Sequence, residues 1–185
     1  VSGFSDTYSN QIWLNLYDPA AFSHPFTGKT IPIRTNWQVE NFGSDEKISV
    51  PDDAILWNID TQRWENVRAG SEATSKITFD LILGNWHHGK TMDMNDILYS
   101  LYFLQEWGSE QQQSDDTYDS EYSPQAMQNA KTLVGIKQID NDTVEVYVDY
   151  WHFDEAEIAA WAAPWSSMPW EIVAASEDAV LDGKV

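Results

Sequence analysis

The chain has 185 residues, 42% of them hydrophobic, which suits a globular domain with a sizeable core rather than a disordered segment. It has no cysteine, so a disulfide framework and a thiolate metal site are both excluded. Thirty acidic residues against ten basic ones give a formal net charge of −20. Such a field repels phosphate backbones and anionic lipid headgroups, which argues against nucleic-acid and membrane-surface binding.

A surface this acidic keeps a protein soluble, and it also suits high salt or acid outside the cell. Ten tryptophans in so short a chain point to aromatic core packing, to ligand-stacking surfaces, or to both. No run of about 18 apolar residues is present, so nothing in the sequence reads as a membrane span. Val1-Ser2-Gly3-Phe4 is neither a signal peptide nor an initiator methionine, and the sequence reads as a mature protein or a part of a longer one.

Taken in order, Gln11 to Tyr17 alternates apolar and polar residues, which predicts a strand ended by Asp18-Pro19. Residues 23–33 carry turn signals at His24-Pro25, Thr27-Gly28-Lys29 and Ile31-Pro32 and predict a loop with an extended exit. Thr35 to Phe42 alternates again, with Trp37, Val39 and Asn41 on one face. Residues 43–75 read as a long, partly ordered excursion holding one short strand at Ile55 to Ile59. Lys76 to Leu83 is the clearest strand, β-branched and aromatic, with Ile77, Phe79 and Leu81 sharing a face.

Turn chemistry at Gly84-Asn85 and His88-Gly89 leads into a helix. Asp93 is its predicted N-cap, Asp96 completes a near capping box, and Trp107-Gly108 closes it. Residues 109–122 are acidic and aperiodic, without the Gly and terminal Glu of a calcium loop. Ser123-Pro124 opens a helix running to about Leu133. Val134 to Ile139 and Thr143 to Tyr150 form a hairpin across Asp140-Asn141-Asp142, Phe153 to Trp161 a short helix, and Pro169 to Ser176 a last one. Helices and strands are segregated rather than alternating, which predicts an α+β fold with a mixed or antiparallel sheet and a few packed helices.

Three pieces of this order resemble the extracellular solute-binding family that includes oligopeptide-, dipeptide- and nickel-binding proteins (family 5). One is Ile77-Thr78-Phe79-Asp80-Leu81, then Trp86-His87-His88-Gly89-Lys90, then Asp96-Ile97-Leu98-Tyr99-Ser100-Leu101. The family runs a Phe-x-Leu strand into Trp-His-Asp-Gly and a capped helix. The second is Gly135 to Val146, similar to the family's hairpin with an Asp-rich turn. The third is Leu14 to Trp37, with its Tyr-Asp strand end, Gly-Lys turn and Asn-Trp-Gln-Val strand. This chain departs from the pattern at His88 (usually Asp), Asp93 (usually Thr) and Ile82 (often Arg), and its loop before Trp86 is shorter. Asp93 keeps the capping chemistry, whereas a turn bonded by the missing Asp must be made differently.

The resemblance covers the N-terminal part of such proteins and implies one lobe of a periplasmic-binding-protein-like fold of class II, cluster C. Residues 1–34 would be strand and linker of the ligand-binding lobe, 35–160 a small α+β lobe, and 161–185 a return segment. It implies a monomeric extracellular or periplasmic protein that captures peptides or small solutes for an ABC transporter permease, without membrane insertion by this segment. Ligand contacts are expected from aromatics where the chain would enter and leave the other lobe, namely Tyr17, Trp165 and Trp170, although core or interlobe packing is the commoner role for such aromatics.

Trp86 and His87 read as determinants of the turn. The adjacent His87-His88 pair points apart in an extended chain, and His24 and His152 are remote, so no metal site is expected. No cofactor is expected either. Asp154-Glu155 and Asp115-Asp116 read as solvated acids, and no Gly-x-Ser-x-Gly, phosphate loop or His-Glu-x-x-His occurs, so no catalysis is expected. The alternatives are a Trp-rich carbohydrate-binding module, with coplanar exposed rings on a sheet face, and an oligosaccharide-binding member of the same family. A glycosidase fragment would need two carboxylates opposed across a groove.

Overall fold

The computed structural model describes residues 6–109, 116–118 and 124–184. In chain order come helix α1 (Thr7–Trp13), strands β1 (Ala21–Ser23), β2 (Thr30–Pro32), β3 (Thr35–Asn41), β4 (Ile48–Ser49), β5 (Ile55–Asn58), β6 (Arg63–Asn66), β7 (Glu72–Ala73) and β8 (Ser75–Leu81), and helices α2 (Met94–Gly108) and α3 (Pro124–Thr132). Strands β9 (Leu133–Gln138) and β10 (Thr143–Val148) and helices α4 (Glu155–Ala162) and α5 (Trp170–Leu181) complete the chain. The architecture is α+β: six strands in the order β3-β8-β10-β9-β5-β6, every neighbouring pair antiparallel. Two small hairpin-like sheets, β1-β2 and β4-β7, flank it.

The period-two pattern in the sequence becomes one apolar row across five strands. Val39 faces Ile77, Ile77 faces Val146, Val146 faces Ile136, and Ile136 faces Ile55. Such cross-strand apolar pairs are the unit of sheet stabilisation, and they fix the register because a one-residue slip would turn the row to solvent. The row is roofed by Ile97 and Leu101 of α2 and by Ile158, Ala159 and Ala162 of α4, all buried. Helix α4 is started by Asp154, whose carboxylate accepts the Ala156 N–H at 3.0 Å, so this acid caps a helix instead of merely facing solvent. Asp115 of the other acidic pair lies outside the described residues, as do 110–114 and 119–122 of the acidic stretch.

The opposite face carries charge and a second, smaller core. Lys76 bridges Glu40 at 2.9 Å and Glu145 at 2.8 Å across three strands. Burial alone would push its ammonium down, but the bonds to Glu145 and Glu40 outweigh that and hold it above the usual lysine range. Beside it the excursion of residues 43–75 folds back, setting Val50, Ala54 and Ala73 against Tyr147, with Val67 and Val134 alongside. Here the structure is more regular than expected, with β4, β6 and β7 present besides the expected short strand.

One expectation is overturned. Residues 11–17 are not a strand: α1 runs through Trp13, and a turn closes with Leu16 and Tyr17 N–H groups bonded to the Trp13 carbonyl. Asp6 accepts the N–H groups of Tyr8 and Ser9 and starts the helix, and no strand of the described sheets lies alongside this segment for an alternating run to pair with. The loop expected over residues 23–33 has its extended exit in β2, which pairs with β1 around Gly28, whose φ of 68° lies in the left-handed region.

Gly135 marks the tightest point between the sheet and the excursion. A Cβ there would stand 2.9 Å from Val67 Cγ1 and 3.4 Å from both Ala54 and Val50. Gly135→Ala is therefore expected to lower stability by about 1–3 kcal/mol through overpacking. Urea unfolding should show a lower midpoint at unchanged slope. An unchanged midpoint would mean that Val67 swings aside without loss.

Candidate functional site

The strand-to-helix junction after β8 is built around one carboxylate. Asp93 and Asp96 form the expected capping box at the start of α2, with the Asp93 N–H donating to Asp96 Oδ2 at 3.0 Å. The same oxygen accepts the Trp86 indole N–H at 3.3 Å, which makes Trp86 the turn determinant that its position suggests. Oδ1 of Asp96 accepts the backbone N–H of Trp170, the first residue of α5, at 3.0 Å. One acid, 2% exposed, thus serves the N-termini of two helices, where both macrodipoles favour it. The turn itself is closed by backbone bonds, Gly89 N–H to the Trp86 carbonyl and Trp86 N–H to the Lys90 carbonyl, with Gly89 at φ 89°. His87 and His88 are exposed.

Further along, α2 sends three donors to Glu177 of α5. The Tyr99 hydroxyl donates to Oε2, and the Tyr102 hydroxyl and Trp107 indole N–H donate to Oε1, each at 2.6 Å. Glu177 is 5% exposed, and no Lys, Arg or His among the described residues lies within ion-pair distance of it. Its position was not found from the sequence, because only the start of the last helix, Pro169 to Ser176, was read there. The signal was available, since Glu177 follows Trp170, Val173 and Ala174 at helical spacings of seven, four and three.

The return segment between α4 and α5 meets the start of the chain. The Trp165 indole N–H and the Ser167 hydroxyl both donate to the Asp18 carbonyl, at 2.7 and 3.0 Å. Arg34 pairs with Asp18 at 3.3 Å and stands 5.4 Å from the Trp165 ring centroid. Lys90 pairs with Glu171 and lies 5.4 Å from the Trp170 ring centroid.

A cavity of about 770 Å3 opens between these parts. Tyr17, Trp165 and Trp170, the three residues singled out in the sequence, all line it. Trp13, Tyr99 and Phe103 join them, and the place of Trp13 could not be read while residues 11–17 were taken for a strand. Asp96 and Glu177 line the same cavity, and no basic side chain does. Burial raises the Tyr17 hydroxyl above its ordinary range. Among the described residues no group of three His, Cys, Asp or Glu side chains is placed to hold a metal ion, and no helix is long and apolar enough to cross a membrane.

Tyr99 and Tyr102 are held well above the usual phenol range, first by burial and then by donating to Glu177. The folded state grips these protons more tightly than the unfolded chain, whose phenols titrate near about 10. The stabilisation they bring is therefore complete below about pH 10 and is lost as pH rises above it. Urea unfolding followed from neutral to strongly alkaline pH should show this loss. The Tyr99→Phe/Tyr102→Phe double variant should start less stable and lose less, the remainder coming from Tyr147, which burial and its bond to Glu145 also hold up, and from Tyr17 and Lys76, which are raised as well. An alkaline loss equal to that of the unaltered protein would rule these two phenols out as its source.

Compared with known proteins, the chain matches no family model and no curated protein.

Proposed function

We propose that this chain forms one lobe of an extracytoplasmic solute-binding protein that captures peptides or related solutes for an ABC importer, making and breaking no bonds in them. The observation that carries this is where apolar surface is left uncovered. Fifteen large hydrophobic side chains are exposed among the described residues, and eight of them fall between residues 8 and 33: Tyr8, Ile12, Leu14, Leu16, Tyr17, Phe22, Phe26 and Ile33. Two more, Ile172 and Leu181, lie on α5. Clustered exposure of this kind marks a surface made to be covered.

These flanks are the stretches, 1–34 and 161–185, that the family resemblance gives to the ligand-binding lobe and its return connection. Residues 35–160 meanwhile hold nearly all of the main core under α2 and α4. The two flanks are tied together at the Asp18 carbonyl by Trp165 and Ser167, as paired crossings between two lobes would be. The aromatic cavity lies at that crossing, where an interlobe cleft would open.

The carbohydrate-module alternative needs exposed, coplanar tryptophans. All ten tryptophans are among the described residues, and only Trp151, at 41%, is strongly exposed. Trp57 and Trp64 meet edge to face at 75°, and Trp107 is buried. This distribution favours a lobe over a sugar platform.

Native mass spectrometry of the protein, purified undenatured from its own cells, tests the proposal. A co-purified series of peptide masses that disappears on unfolding is the expected result. A series spaced by hexose units would keep the binding-protein class and change the ligand to oligosaccharides. A protein without a second lobe and without any bound solute would overturn it.

A further inference from the structure

We infer that the cavity walled by Trp13, Tyr17, Tyr99, Phe103, Trp165 and Trp170 is a subsite for an organic cation, an ammonium group carried on an apolar body. As part of a binding cleft it would receive a basic or amino-terminal group of the captured solute, and to that extent it rests on the function proposed above.

Aromatic faces present the negative lobes of their quadrupoles and attract cations while accepting apolar groups. Six such rings line this cavity. The protein's own cations already find them: Arg34 stands over Trp165 and Lys90 over Trp170. Neither cation lines the cavity, and each is matched by an acid of its own, Asp18 and Glu171.

The two acids that do line the cavity differ in how their charge is met. Asp96 lies at two helix N-termini. Glu177 lies more than a turn inside α5 and is bonded only to neutral donors. All three of those groups donate to its oxygens, and no cationic side chain among the described residues pairs with this acid. In a water-poor wall such a charge acts on a neighbour with far less screening than at the surface. With each carboxylate oxygen already accepting a bond, charge and the ring faces more than new hydrogen bonds distinguish what enters. A neutral apolar solute gains only the rings, and an anion is opposed by both rings and acids.

Three probes of similar shape test this by isothermal titration calorimetry on the unaltered protein: phenethylammonium, phenylacetamide and phenylacetate. The titrations are run at about 0.5 M salt, where the long-range field of a chain of net charge −20 is screened. Phenethylammonium should bind about tenfold tighter than the neutral amide, and phenylacetate should bind weakest. Equal affinities, a preference for the anion, or no binding of any probe would overturn the subsite.

Glu177→Gln should narrow the cation's advantage over the amide severalfold, with the ring faces and Asp96 keeping the rest. If that variant does not fold, the ranking on the unaltered protein still decides. The two proposals fail separately. Peptides in the native spectra with no charge preference here would remove the subsite alone. A clear cation preference with no co-purified peptides would leave the subsite and remove peptide capture.

Discussion

A chain with 30 acidic and 10 basic residues has few cations to spare for buried acids, and yet three acids are buried among the described residues. Asp96, Glu106 and Glu177 are 2%, 1% and 5% exposed. Taking a carboxylate out of water without compensation costs several kcal/mol. Here each is met by a tryptophan indole N–H, which can only donate: Trp86 to Asp96 at 3.3 Å, Trp57 to Glu106 at 2.6 Å and Trp107 to Glu177 at 2.6 Å. Helix α2 carries two of these acids and, in Tyr99, Tyr102 and Trp107, the donors for the third. It is thereby fixed to the loop after β8, to β5 one strand in from the sheet edge, and to α5. Removing one donor would leave a buried charge under-satisfied, which is more damaging than the loss of one ordinary hydrogen bond.

The cavity follows from that arrangement. Because Asp96 binds the first N–H of α5 as well as the cap of α2, the two helices start from a common point and their aromatic faces, Tyr99 and Trp170, meet at 5.7 Å between centroids. Glu177 holds them together again two turns on. The third wall comes from the chain ends of the fold, brought in by the Asp18 carbonyl and its bonds to Trp165 and Ser167. The helix-to-helix walls are rigid by construction, while Tyr17 sits on the rim in the stretch with the most exposed apolar surface. A solute would meet a fixed floor and a lip that a covering lobe could reposition.

What was legible in the sequence was what local chemistry decides. The β8 strand, the Asp93–Asp96 capping box and the Asp140–Thr143 turn all depend on residues within four positions of one another. The sheet's outer charge pairs and the small core under Gly135 were not legible, because they join β8 and β9 to residues far away in sequence. Residues 11–17 misled for a specific reason. Their alternation is real, but a strand needs a partner edge, and Asp6 offers the backbone a helix start instead. Tyr17, Trp165 and Trp170 were singled out from a family resemblance that put them at two chain crossings, and the three line one cavity. Nothing in their local spacing links Asp18 to Trp165, 147 residues away.

The unusual tryptophan content and the unusual acidity have a common explanation. In a chain poor in Lys and Arg, a side chain that buries a large apolar area and still presents one N–H is the best available partner for an inward-facing acid. Six of the ten indoles donate to acids, amides, hydroxyls or carbonyls in this way, from Trp57 to Trp165. Had arginines taken those places, the buried acids would be neutralised where they sit. Neutral donors satisfy the oxygens but leave the charge, and its field extends into whatever space adjoins it. The aromatic cavity adjoins two such acids, so its electrostatic character is a direct consequence of how this acidic fold solves the problem of its own core.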